Sequence, residues 1–245
     1  DATGTVFFNN KIEGNWYTEI ENRSLTGGVK NFSGNWLGSA TLTTANTNGS
    51  EPGYSLQIPV EYGGTSTPPG GAVSVRGAGI SEIDFTPWLG LGTDTDISTG
   101  NGIIGFQGDF SELYVDDDYA QLGAVGRIQE GIDLVSGSTV NVMPGTYVLA
   151  STVNVNKPNV TIDGAGAGLS IVQVSAAVGY AFNLSTAGVT LRDLEIQKTD
   201  LVTNHALIYV AANNLSILNN LIYGPDPGTP WSVNGIVSRA MIGTG

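Results

Sequence analysis

The chain has 245 residues, with 40% hydrophobic residues, 13% charged residues and no cysteine. Its formal net charge of −13 argues against nucleic acid and anionic membrane surfaces as partners, because both repel an acidic chain. Without cysteine there is no disulfide bond or thiol nucleophile, and without an apolar run of about 18 residues we expect no membrane insertion.

Low charge together with abundant Gly, Thr, Asn and Val favours β-structure with many tight turns. Residues 5–14 and 28–38 each alternate apolar with polar positions around a small polar turn. This alternation predicts strands that bury one set of side chains. A β-rich segment follows over residues 39–118, and within it residues 89–96, with glycine at alternate positions, are predicted to be a connector.

The second half of the chain predicts stacked coils. Residues 126–135 form a short amphipathic pattern that is typical of a helix. Strand-like segments that end at Gly, Asn, Pro or Asp then recur at an interval of roughly 20–35 residues, which indicates a solenoid. These segments lie at residues 139–142, 152–155, 159–164, 189–196 and 215–222. The predicted fold class is therefore all-β, with solenoid halves, a short cap helix and an intervening β-rich segment.

Asparagine pairs occur where the predicted strands turn, at residues 9–10, 213–214 and 219–220. Asparagine tolerates the left-handed backbone of tight turns and can stack on an asparagine one coil away. We therefore interpret these pairs as structural.

Residues with catalytic chemistry are sparse. A lyase or glycosidase would need clustered carboxylates, and Asp163, Asp193 and Glu195 are the carboxylates on recognisable strands. Asp163 precedes a glycine and is expected to serve a turn, whereas Arg192 and Asp193 are adjacent and should point to opposite faces of a strand. His205, the single histidine, is interpreted as a surface or turn residue. We expect no catalytic residue, no cofactor-binding residue and no enzyme activity.

Asp116, Asp117 and Asp118 are the candidate metal ligands. Carboxylates this closely spaced in a loop suit Ca²⁺, which accepts flexible coordination by oxygen. The segment does not match an EF-hand loop, so a solvated acidic turn without an ion is the alternative. Calcium is the only cofactor that we consider for this chain.

Two parts of the chain resemble opposite ends of a known domain. Residues 112–245 are similar to the beginning of a pectin-lyase-like right-handed parallel β-helix, because a helix pattern, a strand and Pro144-Gly-Thr-Tyr147 follow one another. The N-terminal region resembles the end of such a domain in secreted bacterial proteins, through Asn35-Trp-Leu-Gly38 and Asp84-Phe-Thr-Pro-Trp-Leu89. The resemblance implies parallel β-helix halves and an extracellular or cell-surface location, and it does not supply the residue pattern of a polysaccharide lyase.

The end of one domain thus precedes the beginning of another. Residues 1–90 are predicted to hold the last coils of one β-helix with a β-rich segment, residues 91–111 a connector, and residues 112–245 the capped start of the next β-helix. Joining Gly245 to Asp1 continues the strand series through an ordinary turn. We therefore expect one period of a tandem array, or a subunit that neighbouring copies complete. The alternative is a single closed β-helix with a divergent N-terminal domain.

This organisation predicts a structural repeat or subunit of an extracellular filament, stalk or giant bacterial surface protein. Its partners would be neighbouring copies of itself in head-to-tail contact. One alternative is an adhesion or carbohydrate-binding module, which would bind polysaccharide through an exposed aromatic row. Another is a polysaccharide lyase or glycosidase, which would carry clustered carboxylates in a groove.

The calcium hypothesis predicts a difference between the natural chain and a variant with Asp116→Asn, Asp117→Asn and Asp118→Asn. Calorimetric titration with Ca²⁺ should give saturable heat for the natural chain and only dilution heat for the variant, because neutral amides lose the charge that holds the ion. Identical heats for the two chains would leave the acidic turn as the correct interpretation.

Overall fold

A computed structural model describes residues 5–13, 20–22, 29–40, 73–75, 83–96, 105–117, 121–122, 125–174, 178–198, 206–224 and 234–238. The chain forms two compact units, Asp1–Ala124 and Val125–Gly245, and each is described by itself. Within the described ranges, no helix has the length and apolar character needed to cross a membrane.

The described part of the first unit consists of short parallel pairs and one antiparallel pair. Its strands are β1 (Ile20–Asn22), β2 (Lys30–Asn31), β3 (Val73–Val75), β4 (Ile83–Asp84), β5 (Trp88–Asp94) and β6 (Gly108–Val115). β1 pairs with β3 and β2 with β4 in parallel, whereas β5 and β6 pair antiparallel. Parallel bridges join Val6 to Asn31 and Lys11 to Trp36, so residues 5–13, 30–37 and 83–89 form successive levels of stacked backbone.

The segment at 89–96, predicted to be a connector, lies largely in strand β5, so that prediction was wrong. The alternating glycines have a packing role. A Cβ atom on Gly90 would lie 2.9 Å from side-chain atoms of both Glu112 and Tyr114, and one on Gly92 would lie 2.6 Å from the Trp36 ring. Glycine in a strand often marks such a close approach, so here it admits large side chains over the strand.

The described part of the second unit is a β-solenoid of four coils preceded by one helix, α1 (Arg127–Leu134). Each coil contributes three strands in chain order, and equivalent strands of successive coils pair in parallel as β7-β10-β13-β16, β8-β11-β14-β17 and β9-β12-β15-β18. The strands are β7 (Thr139–Val142), β8 (Gly145–Leu149), β9 (Val153–Val155), β10 (Thr161–Gly164), β11 (Ser170–Val174), β12 (Phe182–Leu184), β13 (Thr190–Arg192), β14 (Glu195–Lys198), β15 (Ala206–Val210), β16 (Ser216–Leu218), β17 (Leu221–Tyr223) and β18 (Asn234–Ser238). The predicted all-β solenoid with a short helix is therefore confirmed.

Inward-facing apolar side chains form the core in columns that run from coil to coil. Val140, Ile162 and Leu191 occupy matching register positions on β7, β10 and β13, and all three are fully buried. Burial of an aliphatic side chain of this size stabilises a fold by about 1.5–3 kcal/mol. Each coil therefore depends on its neighbours for the surface that covers its apolar residues.

Left-handed residues turn the chain between strands. Asn159, Gly188 and Asn214 occupy equivalent turns of three coils with φ of 60°, 78° and 56°. The Asn159 amide donates to Ala187 O at 3.1 Å, and the Gly188 amide donates to Asn214 O at the same distance, so the turns are tied together. The expected left-handed backbone at the asparagine pairs is confirmed for Asn9, Asn214 and Asn219.

Helix α1 covers the first coil of the second unit, as its amphipathic pattern predicts. It packs on β7 and β9 and buries Ile128 and Ile132. The Asn154 amide donates to Gln129 Oε1 at 2.7 Å, and Lys157 Nζ donates to Val135 O, 2.9 Å away, just beyond the helix. The helix thus shields one end of the solenoid from solvent.

Gly164 is a position where a single methyl group should be costly. A Cβ atom there would collide with Asp193 O, which the Gly166 amide already holds at 2.9 Å. We expect Gly164→Ala to lower the free energy of unfolding by about 1–3 kcal/mol, measured by urea denaturation.

The matched control is Gly235→Ala, also in a strand, because its Cβ would meet Ile222 Cγ2 at an ordinary 3.5 Å. This variant should unfold near the urea midpoint of the natural chain. Equal effects of the two substitutions would contradict the close packing between β10 and the turn at Asp193.

Candidate functional site

The carboxylates considered as catalytic candidates are held in structural contacts. Asp163 and Arg192 are register partners on β10 and β13, and Arg192 Nη2 donates to Asp163 Oδ2. Asp163 therefore lies in a strand and not in a turn, contrary to the prediction. The hydrogen bond from Arg192 to Asp163 raises the pKa of the guanidinium, and the pair lies at the surface, where ion pairs contribute little to stability.

Arg192 and Asp193 were expected to point to opposite faces, and this was also wrong. Arg192 Nε lies 3.9 Å from Asp193 Oδ2. Strand β13 ends at Arg192, and Asp193 has a left-handed φ of 57°, so the alternation of a strand does not continue through it. The left-handed turn therefore returns the Asp193 carboxylate toward the arginine.

Glu195 ties three successive coils together. Its Oε2 accepts a hydrogen bond from the Gly168 amide at 2.9 Å, and its Oε1 accepts one from the Tyr223 hydroxyl at 2.8 Å. The Tyr223 hydroxyl also lies 2.8 Å from Gln197 Oε1. Glu195 is 8% exposed, and its hydrogen bond with Tyr223 is the main cause that raises the pKa of the phenol. The carboxylate is thus occupied with cross-linking the second, third and fourth coils.

The candidate calcium ligands are only partly described. Asp116 is buried and Asp117 is half-buried, while Asp118 lies outside the described residues. Over the described ranges, no three His, Cys, Asp or Glu side chains form a group that could hold a metal ion. The calcium site therefore stays a prediction. His205 also lies outside the described residues.

The aromatic residues bear on the carbohydrate-binding alternative. Trp88 is fully buried, and its indole Nε1 donates to Ala40 O at 3.0 Å. Tyr180 and Tyr209 stack on each other with ring centroids 5.0 Å apart, which covers one face of each ring. Trp36 Nε1 donates to Glu13 Oε2 at 2.6 Å. These rings are therefore engaged with protein groups within the described parts of their own units.

The fourth coil of the second unit has an incompletely covered interior. In the third coil, Val189, Leu191 and Ile196 are fully buried. The corresponding residues of the fourth coil, Leu215, Ile217 and Ile222, are only half-buried. We call residues 214–224 the trailing edge, because they form the last stacked level of this unit in the described structure.

The first described level of the first unit also has apolar side chains that are incompletely covered. Residues 5–13, which we call the leading edge, expose Val6, Phe7 and Phe8. Phe7 stacks on Phe32 of the next level with ring centroids 4.4 Å apart and an interplanar angle of 1°. Seven of the eleven exposed large apolar residues of the described structure lie on this edge or on the fourth coil. Apolar exposure is therefore concentrated at these two places.

The two edges belong to levels that share one turn geometry. At the trailing edge, Asn220 Oδ1 accepts from Leu194 N at 3.0 Å and Asn220 Nδ2 donates to Leu191 O at 2.9 Å. In the first unit, Asn35 Oδ1 accepts from Asn10 N at 2.8 Å and Asn35 Nδ2 donates to Phe7 O at 2.7 Å.

In both cases the amide spans two backbone groups that are three residues apart on the preceding level. The residue before the amide is left-handed in each, with φ of 55° at Asn219 and 72° at Gly34. Sequence reasoning placed asparagines at turns but missed this amide tie between levels. The signal that could have revealed it is the asparagine in the second position of Asn9-Asn10, Gly34-Asn35 and Asn219-Asn220, which recurs at one place in the pattern.

Comparison with protein-family models, with curated proteins and with solved structures found no match. A fold hosts many unrelated functions, so the solenoid by itself does not assign one. The two edges and their shared turn are therefore the features from which a function can be inferred.

The hydrogen bond between Glu195 and Tyr223 predicts that the Tyr223 phenol ionises at a raised pH. Because the hydrogen bond favours the neutral phenol, the pKa of Tyr223 lies above that of an ordinary tyrosine. Its contribution to stability is then fully present below the ordinary pKa of about 10 and is lost as the pH rises through the raised value.

Absorbance at about 295 nm should show a component that ionises above the ordinary tyrosine range and that is missing in Tyr223→Phe. Glu195→Gln should move that late ionisation toward the ordinary range. A difference titration that is unchanged in Glu195→Gln would contradict the assignment of the carboxylate as its cause.

Proposed function

We propose that this chain is a structural repeat or subunit of an extracellular filament, stalk or giant surface protein. Its β-helices are completed end to end by neighbouring copies. The observation that carries the proposal is that the leading and trailing edges are incompletely covered and belong to levels with the same turn. A level that lacks a neighbour leaves apolar side chains and backbone hydrogen-bonding groups exposed, and a second level of the same geometry would cover both.

The composition of the edges supports pairing. Natural sheets protect their edges with charged side chains, proline or a covering helix. Residues 216–223 contain no charged residue, and residues 5–12 contain only Lys11, which pairs with Glu13 at 2.9 Å. Helix α1 covers the first coil of the second unit, and no described helix packs on the fourth coil. Within the described residues, the trailing edge therefore carries no charge, proline or covering helix, and the leading edge carries one lysine that is paired with a carboxylate.

We further propose that the solenoid is a right-handed parallel β-helix of the pectin-lyase-like kind. Pro144-Gly-Thr-Tyr147 supports this, since it follows helix α1 and strand β7 in the order typical of the start of such domains. Tyr147 is buried, and its hydroxyl donates to Met143 O at 3.0 Å, so the motif leads directly into β8 and its tyrosine is bonded back to the residue before Pro144. Right-handed connections between parallel strands are also strongly favoured in general.

The proposed extracellular or cell-surface location and bacterial origin rest on the motifs at residues 35–38 and 84–89, which resemble the ends of secreted bacterial β-helix domains. The net charge of −13 supports the absence of nucleic acid partners. We propose no catalytic activity, and the contacts of Asp163 with Arg192 and of Glu195 with Gly168 and Tyr223 support this.

Electron microscopy and sedimentation of the purified chain test the proposal. We expect elongated particles whose length grows with protein concentration, built from copies whose denatured mass is that of one chain. Leu218→Lys should shorten them, because it places a charge on the apolar trailing edge, where Leu218 is 49% exposed.

The matched control is Val148→Lys, since Val148 is 67% exposed but lies on β8 of the first coil, away from the trailing edge. This variant should assemble as the natural chain does. A 245-residue chain without substitutions that remains a 25.4 kDa monomer at all concentrations would refute the proposal.

A further inference from the structure

We infer that the joint between two copies has a single register, in which Asn10 of one copy binds the turn at Asn220 of the preceding copy. This inference rests on the proposed end-to-end assembly and specifies its contact surface. Its starting point is that residues 5–13, 30–37 and 216–223 carry the same left-handed turn, at Asn9, Gly34 and Asn219.

Register pairs inside each unit define the alignment of the two edges. In the first unit, Val6 pairs with Asn31 and Lys11 with Trp36, on either side of the turns at Asn9 and Gly34. In the second unit, Thr190 pairs with Ser216 and Glu195 with Leu221, on either side of the turns at Asp193 and Asn219. The spacing of five residues is the same on all four levels. Superposing the turns therefore places Ser216 opposite Val6, Leu218 opposite Phe8 and Leu221 opposite Lys11.

The polarity of the hydrogen bonds fixes the order of the copies. After the turn, the amide of the later level donates to the earlier level in both units: Leu221 N to Leu194 O at 2.9 Å and Trp36 N to Asn10 O at 3.0 Å. A leading edge placed after a trailing edge continues this pattern, with Lys11 N of one copy donating to Asn220 O of the copy before it. The occupant of the trailing edge is thus a second copy of this chain in the head-to-tail direction.

Asn10 is suited to the role that Asn35 and Asn220 have within the units. Its own backbone amide donates to Asn35 Oδ1, and its side chain is exposed, with Nδ2 donating to Phe8 O at 3.1 Å and Asn35 Oδ1 at 3.0 Å. A rotation of this side chain toward the preceding copy would let Nδ2 donate to Ile217 O and Oδ1 accept from Asn220 N. The tie would then match those made by Asn35 and Asn220.

The side chains at this register are compatible. Phe7 occupies the inward position that matches Ile217, and Ile12 the position that matches Ile222, so the apolar column would continue through the joint. Lys11 and Glu13 neutralise each other, and hydrogen bonds from Lys11 and Trp36 lower the pKa of Glu13, which stays ionised. A slip by one residue would invert the inward and outward sets and move the left-handed turns out of alignment.

Cysteine cross-linking tests the register, because these 245 residues contain no cysteine. Phe8→Cys with Leu218→Cys places the thiols directly opposite, where parallel neighbours lie about 5 Å apart and a disulfide fits. Mild oxidation should give a ladder of dimers, trimers and longer species on denaturing gels, and reduction should remove it. The control pair is Val6→Cys with Leu218→Cys, whose Cα atoms would lie beyond about 7 Å, and it should cross-link at least tenfold less.

Asn10→Ala tests the amide itself. We expect an association constant about tenfold lower by sedimentation, because two backbone groups of the joint lose their partner. Asn154→Ala is the control, since Asn154 lies on β9 of the first coil and its Oδ1 accepts from Asn183 Nδ2 at 3.0 Å. It should leave association unchanged.

The outcomes separate the two proposals. A natural chain that does not associate refutes the end-to-end assembly. If the unsubstituted chain associates, two results would refute the register and leave the assembly standing. The first is equal cross-linking of the Val6 and Phe8 cysteine pairs. The second is equal association of Asn10→Ala and Asn154→Ala. Circular dichroism of each variant shows whether it is folded, and the cysteine pairs provide the test if Asn10→Ala is not.

Discussion

Hydrogen bonding between successive levels is the constraint on which this structure depends. A strand in a stacked solenoid bonds to one level on each side, so no level is satisfied by its own coil. The same holds for the apolar interior, where Leu191 of the third coil is fully buried while Ile217, one level on, is half-buried. An end level of such a stack offers the same kinds of backbone groups and apolar side chains as an internal level. It differs because no neighbouring level covers one of its sides.

The turns explain why levels of such different sequence stack in one register. A left-handed residue reverses the side-chain alternation at the same place in four of the described levels, and asparagine, aspartate and glycine all serve there, at Asn9, Gly34, Asp193 and Asn219. The residue that follows then faces inward, where an apolar side chain such as Leu194 or an amide such as Asn35 is buried. A buried amide must be satisfied, and Asn35 is satisfied by the backbone of the preceding level.

Much of the fold could be predicted from periodicity, because a strand face and a helix face leave different spacings in the sequence. The strand at residues 139–142 and the helix within 126–135 are examples. What could not be predicted is which residues meet across levels, since this depends on the length of each coil. Asp163 and Arg192 are 29 residues apart and become partners only through the register of β10 and β13. Gly90 and Gly92 led to the wrong prediction of a connector for a related reason. The side chains that pack over these glycines, such as Trp36 and Tyr114, come from segments distant in sequence.

The contacts at the two edges also bear on how readily another chain can bind there. The trailing edge is hydrogen-bonded to the third coil by the Asn220 amide and by the Tyr223 hydroxyl, which donates to Glu195. Glu195 in turn accepts from the Gly168 amide of the second coil. The leading edge is held by the bond from Gly108 N to Asn9 Oδ1 at 2.7 Å and by Phe8 against Phe110. Side chains and backbone that are already fixed lose little further entropy on binding, so more of the gain from covering apolar surface remains as affinity. In the proposed assembly, the ties within each unit would reduce the entropy lost at the joint, and they arise from the same coil-to-coil bonding that forms the solenoid.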